Sequence, residues 1–192
     1  MNHINMKKFF LFVLDISKVV VLSLAIILPV RYFLIQPFYV KGASMEPNFY
    51  DHEYLIIDEL SYRFQKPERG QVVVFRYPRN PQEYFIKRII ALPGEEVQIK
   101  NGEIIIFNSS YPAGLTLKEK YLPTDLETFS SGESKIVVGP NEYFVLGDNR
   151  NASKDSRSFG AVDYSFLTGK VLFRGWPLNR ITWFDAKNWP QY

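Results

Sequence analysis

Few of the side chains that serve as nucleophiles or proton carriers occur in this 192-residue chain: it has no cysteine and only two histidines, His3 and His52. Thiolate chemistry, disulfides, cysteine zinc sites and iron–sulfur clusters are therefore excluded. His3 precedes a long apolar run and His52 sits in an Asp-His-Glu turn, so a Ser-His-Asp triad has little support. Gly42-Ala43-Ser44-Met45-Glu46 lacks the second glycine of a nucleophile elbow. No serine is followed by a lysine three residues later. A serine nucleophile with a lysine base remains. Such a lysine must be neutral, and holding one neutral at pH 7 against its usual pKa costs about 4.6 kcal/mol. Burial among apolar groups lowers that pKa. Lys87 is flanked by Phe85, Ile86, Ile89 and Ile90, which supply apolar surface on both faces of a strand. Taken singly, a serine like Ser44 is more often a turn residue, and a lysine like Lys87 more often snorkels to solvent.

The elements that must hold these residues are mostly strands. Short β-branched and aromatic runs bounded by turn residues recur at 54–57, 71–77, 84–92, 96–100, 103–107, 135–138, 142–146 and 170–174. Asn101-Gly102 between two of them predicts a tight hairpin. Gly139-Pro140-Asn141 predicts another turn. Residues 108–134, with Pro, Ser, Gly and Thr, read as a variable loop or small cap. The pattern predicts a mainly β domain, a barrel or sandwich.

The N-terminal part differs. Residues 19–30 form an uncharged run of twelve, about 18 Å as a helix. Extending it to 16–35 reaches the roughly 30 Å of a bilayer core. This predicts a tail at 1–15, an anchor at 16–35 and a domain at 36–192. The alternative span, 9–30, would bury Asp15 and Lys18, which can pair at i,i+3. Lys7, Lys8 and Lys18 favour a cytoplasmic N-terminus and an extracytoplasmic domain. The net charge is +3. Setting aside Lys7, Lys8, Lys18, Arg31 and Asp15, the totals of 23 basic and 20 acidic residues fall to 19 of each. A neutral domain argues against nucleic-acid binding. Eight residues separate Ile35 from Ser44, a reach of at most about 30 Å, so the sequence places Ser44 close to a bilayer surface. Phe49, Tyr50, Trp176, Trp183 and Trp189 supply aromatic groups that a lipid interface would accept, although more such side chains pack in a core than lie on a surface.

Five segments, in order, resemble the type I signal peptidases, the Gram-positive branch in particular. They are the anchor, GASMEP at 42–47, QVVVFRY at 71–77, FIKRIIALPGEEV at 85–97, and YFVLGDNRNASKDSRSFG at 143–160, with FRGWP at 173–177 as a fitting end. The resemblance covers nearly the whole chain apart from 108–134. It implies a barrel-like or coiled β-sheet catalytic domain behind one transmembrane helix. It implies Ser44 as nucleophile and Lys87 as general base of a serine endopeptidase that removes signal peptides from exported preproteins. Ser153 would orient Lys87, while Asp155 with Arg157 and Asp148 with Arg88 would brace the loop. Met45 and Pro47 would belong to a small apolar substrate pocket selecting Ala-x-Ala before the cut. No metal or nucleotide cofactor is implied. The partners are preproteins and the lipid bilayer, with the oligomeric state open. Two departures from the family pattern stand out: Gly42 replaces a serine that completes the oxyanion hole in many members, and Asn151-Ala152 replaces an acidic residue and asparagine.

Three alternatives accompany this reading. One is a Ser–Lys protease dedicated to a single substrate such as a pilin or conjugation factor. Another is a catalytically inactive membrane-bound binding module, against which the intact Ser44, Lys87, Ser153 and Asp155 argue. The third, a self-cleaving repressor domain, would need a DNA-binding head where residues 1–40 form an apolar anchor.

Overall fold

The computed structural model describes residues 3–33, 35–130 and 132–184. It divides into two units, 1–36 and 37–192. The first is essentially one helix, α1 (His3–Phe33). Its side chains from Lys8 to Leu28 are exposed, apolar ones included, and this stretch has the length and composition to cross a membrane. Asp15 and Lys18 lie within it and pair at 3.1 Å. The helix ends before the expected anchor boundary, because Ile35 opens a strand.

The second unit is mainly β. After β1 (Ile35–Tyr39), which begins in the last residues of the first unit, its strands are β2 (Tyr54–Asp58), β3 (Val72–Tyr77), β4 (Asn80–Ala91), β5 (Glu96–Lys100), β6 (Glu103–Phe107), β7 (Leu115–Thr116), β8 (Ile136–Val137), β9 (Glu142–Leu146), β10 (Val162–Asp163), β11 (Leu167–Trp176) and β12 (Thr182–Trp183). A four-residue helix, α2 (Ser156–Phe159), precedes β10. The larger sheet runs β1-β2-β11-β3-β4-β9-β10, with β12 added on β11; the smaller runs β7-β6-β5-β8. The pairings between β2, β3, β4, β9 and β11 are antiparallel.

Strand β3 shows why the sequence folds this way. Side chains alternate across a sheet. Val72 and Val74 enter one core cluster with Leu55, Ile57 and Val171. Val73 and Phe75 enter another with Ile89 and Val145. A strand apolar on both faces must lie in the middle of a sheet, and β3 does, between β11 and β4. A third cluster, including Ile90, Val97, Ile106 and Leu146, joins the small sheet to β4 and β9. The Asn101-Gly102 turn links β5 to β6 with positive φ at both positions, 52° and 80°, the geometry of a two-residue hairpin.

Residues 108–134 are more than a loop: β7 extends the small sheet, and Leu117 and Leu122 are buried. Of the five aromatics proposed for lipid contact, Tyr50, Trp176 and Trp183 are exposed. Phe49 is core, packed with Met45, Leu55 and Val171 and stacked on Phe184. Trp189 lies outside the described residues.

Candidate active site

Ser44 begins the turns that follow β1, and Lys87 lies on β4 opposite Val73 of β3. Separated by 43 positions, they meet: Lys87 Nζ is 2.8 Å from Ser44 Oγ. The amine also donates to the Ile86 carbonyl at 2.7 Å. Lys87 is 3% exposed and has the Phe85 ring 5.3 Å from its nitrogen. Burial pulls its pKa from 10.5 down to about 8, against the upward pull of Asp155 and Asp148. Desolvation penalises the ammonium more than these carboxylates favour it. The lysine therefore has an appreciable neutral fraction near neutral pH, as a base toward a hydroxyl requires.

The surroundings of Ser44 are fixed from the 147–155 loop. Asn149 N–H donates to the Ser44 carbonyl at 3.1 Å, and its side-chain amide donates to the Ala43 carbonyl at 3.1 Å. Gly147 is required by close approach. A Cβ there would lie 2.1 Å from Ser153 Oγ and 2.4 Å from the Ser44 carbonyl oxygen. Gly42 is required for another reason: its φ is +86°, with open space where a side chain would stand, a backbone region that disfavours L side chains. Its N–H donates to Asp51 Oδ1 at 2.9 Å. The Ser44 N–H has no acceptor among the described residues.

The expected ion pairs form. Arg88 Nε and Nη2 meet Asp148 Oδ1 and Oδ2 at 2.9 and 2.6 Å. Arg157 Nε and Nη2 meet the two Asp155 oxygens, each at 2.8 Å. Asp155 also accepts from Gly147 N–H at 3.1 Å and caps α2 through the Arg157 N–H.

Other expectations do not hold. Ser153 makes no hydrogen bond to Lys87: its Oγ is buried without a partner among the described residues, because the amine is directed to Ser44 and the Ile86 carbonyl. Met45 and Pro47 do not line the cleft. Met45, 1% exposed, points down into the core beneath the turn, and Pro47 is exposed to solvent. The cleft beside the dyad, about 690 Å³, is instead lined by Val40, Leu55, Val74, Phe85 and Ile86, with Lys41, Glu83 and Lys154 among its polar residues. Ala152, one of the two departures in the final segment, also lines it. His52, largely solvated, pairs with Asp51 at 2.9 Å and is not part of the cleft.

Sequence reasoning missed Asn48. Its side-chain amide donates to Asp148 Oδ2 and to the Tyr121 carbonyl at 2.8 and 3.0 Å. Its carbonyl accepts from Arg174 and Arg180, which both pair with buried Glu53. Its place just after GASMEP was the available signal. Glu119 and Tyr121, which also reach the site's supports, carried no local signal.

The family model described as "Signal peptidase, peptidase S26" matches residues 13–176. The chain is 36% identical over 173 residues to a probable signal peptidase I-2 of Synechocystis sp., covering 88% of this chain and 75% of that protein. It is 31% identical over 181 residues to signal peptidase IB of Staphylococcus aureus, covering 88% and 93%. A crystal structure of a signal peptidase I from Enterococcus faecalis is 32% identical, with a TM-score of 0.45, over 55% of this chain and 97% of that one. With most of its length matched by the family model and by these relatives, the chain belongs to the signal peptidase family, peptidase S26.

Proposed function

We propose that this signal peptidase works through Ser44 as nucleophile and Lys87 as general base. The observation that carries the assignment is the 2.8 Å contact between a buried lysine, its pKa pulled to about 8, and a serine hydroxyl at the edge of an apolar cleft. Neutral Lys87 takes the Ser44 proton as Oγ attacks the scissile carbonyl. The resulting ammonium returns that proton to the leaving amine; neutral Lys87 then takes a proton from water as it attacks the acyl-enzyme and gives it to Ser44 Oγ as the ester bond breaks. The Ser44 N–H, which has no protein acceptor among the described residues, is the oxyanion donor. The apolar walls Val40, Leu55, Val74 and Ile86 favour small side chains, Ala-x-Ala before the cut.

The same proposal places the apolar part of α1 in the bilayer, the residues before it on the cytoplasmic side and the catalytic domain on the outer side. The exposed apolar stretch Lys8–Leu28 supports a single span. Exposed Trp176, Leu178, Ile181 and Trp183 support lipid contact by the domain. Purified protein in detergent is to be given a preprotein with an Ala-x-Ala site. Sequencing the new N-terminus should place the cut after the second alanine. Absence of cleavage, or cleavage retained by Ser44→Ala, would refute the reading.

A further inference from the structure

Residues 108–134 carry none of the motifs that mark the family, yet they are bound to the loop that holds Ser44. Arg150 is the junction. It is 3% exposed, and its guanidinium meets both Glu119 oxygens at 2.5 and 2.6 Å. It also donates to Thr128 Oγ1 at 2.5 Å, to the Tyr121 hydroxyl at 3.1 Å and to the Gly147 carbonyl at 3.0 Å. The Tyr121 hydroxyl in turn donates to Glu119. A buried guanidinium with this many partners holds one geometry, since breaking it would leave a charge unpaired in low dielectric.

The held geometry leads to Ser44 by two short paths. Through Gly147 it fixes the start of the loop whose Asn149 N–H binds the Ser44 carbonyl at 3.1 Å. Through Tyr121 it fixes the turn that follows the nucleophile: the Tyr121 carbonyl accepts from Asn48 at 3.0 Å, and the Tyr121 ring lies 3.9 Å from the Arg88 guanidinium. Arg157 adds a bond to the Phe129 carbonyl at 3.0 Å. Both sides of the Ser44 backbone are thus tied to the same excursion.

We infer that Glu119 and Tyr121 are positioning residues of this peptidase: acting through Arg150 and Asn48, the 108–134 excursion sets the place of Ser44 relative to Lys87. The inference rests on the Ser44–Lys87 reading. A nucleophile displaced by a fraction of an ångström loses rate in the chemical step while the cleft still binds substrate.

The test compares wild type, Glu119→Ala and Glu119→Gln as full chains in detergent on one preprotein, with thermal unfolding measured in parallel. Glu119→Ala is expected to lower kcat about tenfold with KM changed less than about twofold, at temperatures where the variant is folded. Glu119→Gln, which keeps the shape and one strong acceptor, recovers part of the loss. A folded Glu119→Ala with kcat within about twofold of wild type overturns the inference, as does a loss matching only its unfolded fraction. Where Glu119→Ala does not fold, Tyr121→Phe decides. It removes the hydroxyl on Arg150 and keeps the ring on Arg88, with kcat expected to fall about threefold at unchanged KM, and a wild-type kcat overturns the inference. A wild-type protein that cleaves beside an unaffected variant removes this inference alone; a wild type that does not cleave removes the dyad reading with it.

Discussion

Lys87 and Arg88 are neighbours on β4 and equally buried, each 3% exposed, but their surroundings treat charge in opposite ways. On the Lys87 side the amine meets a hydroxyl, a carbonyl and an aromatic ring, with no carboxylate in hydrogen-bond contact among the described residues. On the Arg88 side a bidentate carboxylate, the Gly70 carbonyl and the Tyr121 ring surround the guanidinium. Burial without a counter-ion favours loss of the proton; burial with a matched carboxylate keeps the ion. One strand therefore places a reactive group and a rigid brace within a single residue step. It can do so because consecutive strand side chains leave on opposite faces.

The strongest test exchanges the two chemistries. Lys87→Arg puts a group that stays protonated at working pH where a base is required. Cleavage of a preprotein should fall at least about a thousandfold with the domain still folded. A variant retaining a tenth of the wild-type rate would show that Lys87 is not the base.

A smaller effect is expected on the brace. Asp148→Ala leaves Arg88 buried without its carboxylate and takes an acceptor from Asn48. The cost should be about 3–5 kcal/mol in denaturant unfolding. A loss under about 1 kcal/mol would show that the Arg88 side is not the rigid half of the comparison.

The third effect is in pH. The folded pKa of Lys87 is depressed from 10.5 to about 8, so the unfolded chain holds the proton over the interval between these values. Stability should rise with pH across that interval, by about 3 kcal/mol from this group, and Lys87→Met should remove the rise. The rate should follow the neutral amine, climbing about tenfold per pH unit below 8 and levelling above it. A profile flat from pH 6 to 9 would contradict the assignment.

Much of this was legible in the residues. The strands at 96–100, 103–107 and 142–146 coincide with β5, β6 and β9, because β-branched alternation and an Asn-Gly turn are local signals. Strands β7, β10 and β12 were not read: each is two residues long and exists because a partner strand is beside it. Strand β4 begins at Asn80, earlier than expected, where exposed polar residues hide the pairing with Tyr77. At the site, the dyad and the two ion pairs followed from motif resemblance. The fate of Met45 did not, because which way a turn residue points depends on the core beneath it. Nor did the grip of Glu119 on Arg150, since 31 positions separate them and no periodicity links them.

Strand β11, reached only at Leu167, lies between β2 and β3. In the sheet, β2, which follows the Ser44 turn, and the β3–β4 pair that carries Lys87 are therefore not hydrogen-bonded neighbours; the later β11 stands between them. As the polypeptide emerges from synthesis, Ser44 and Lys87 are both made well before this strand. Such long-range closure is slow compared with local hairpin formation. A chain that stops short of β11 carries Ser44 and Lys87 but lacks the strand that joins β2 to β3.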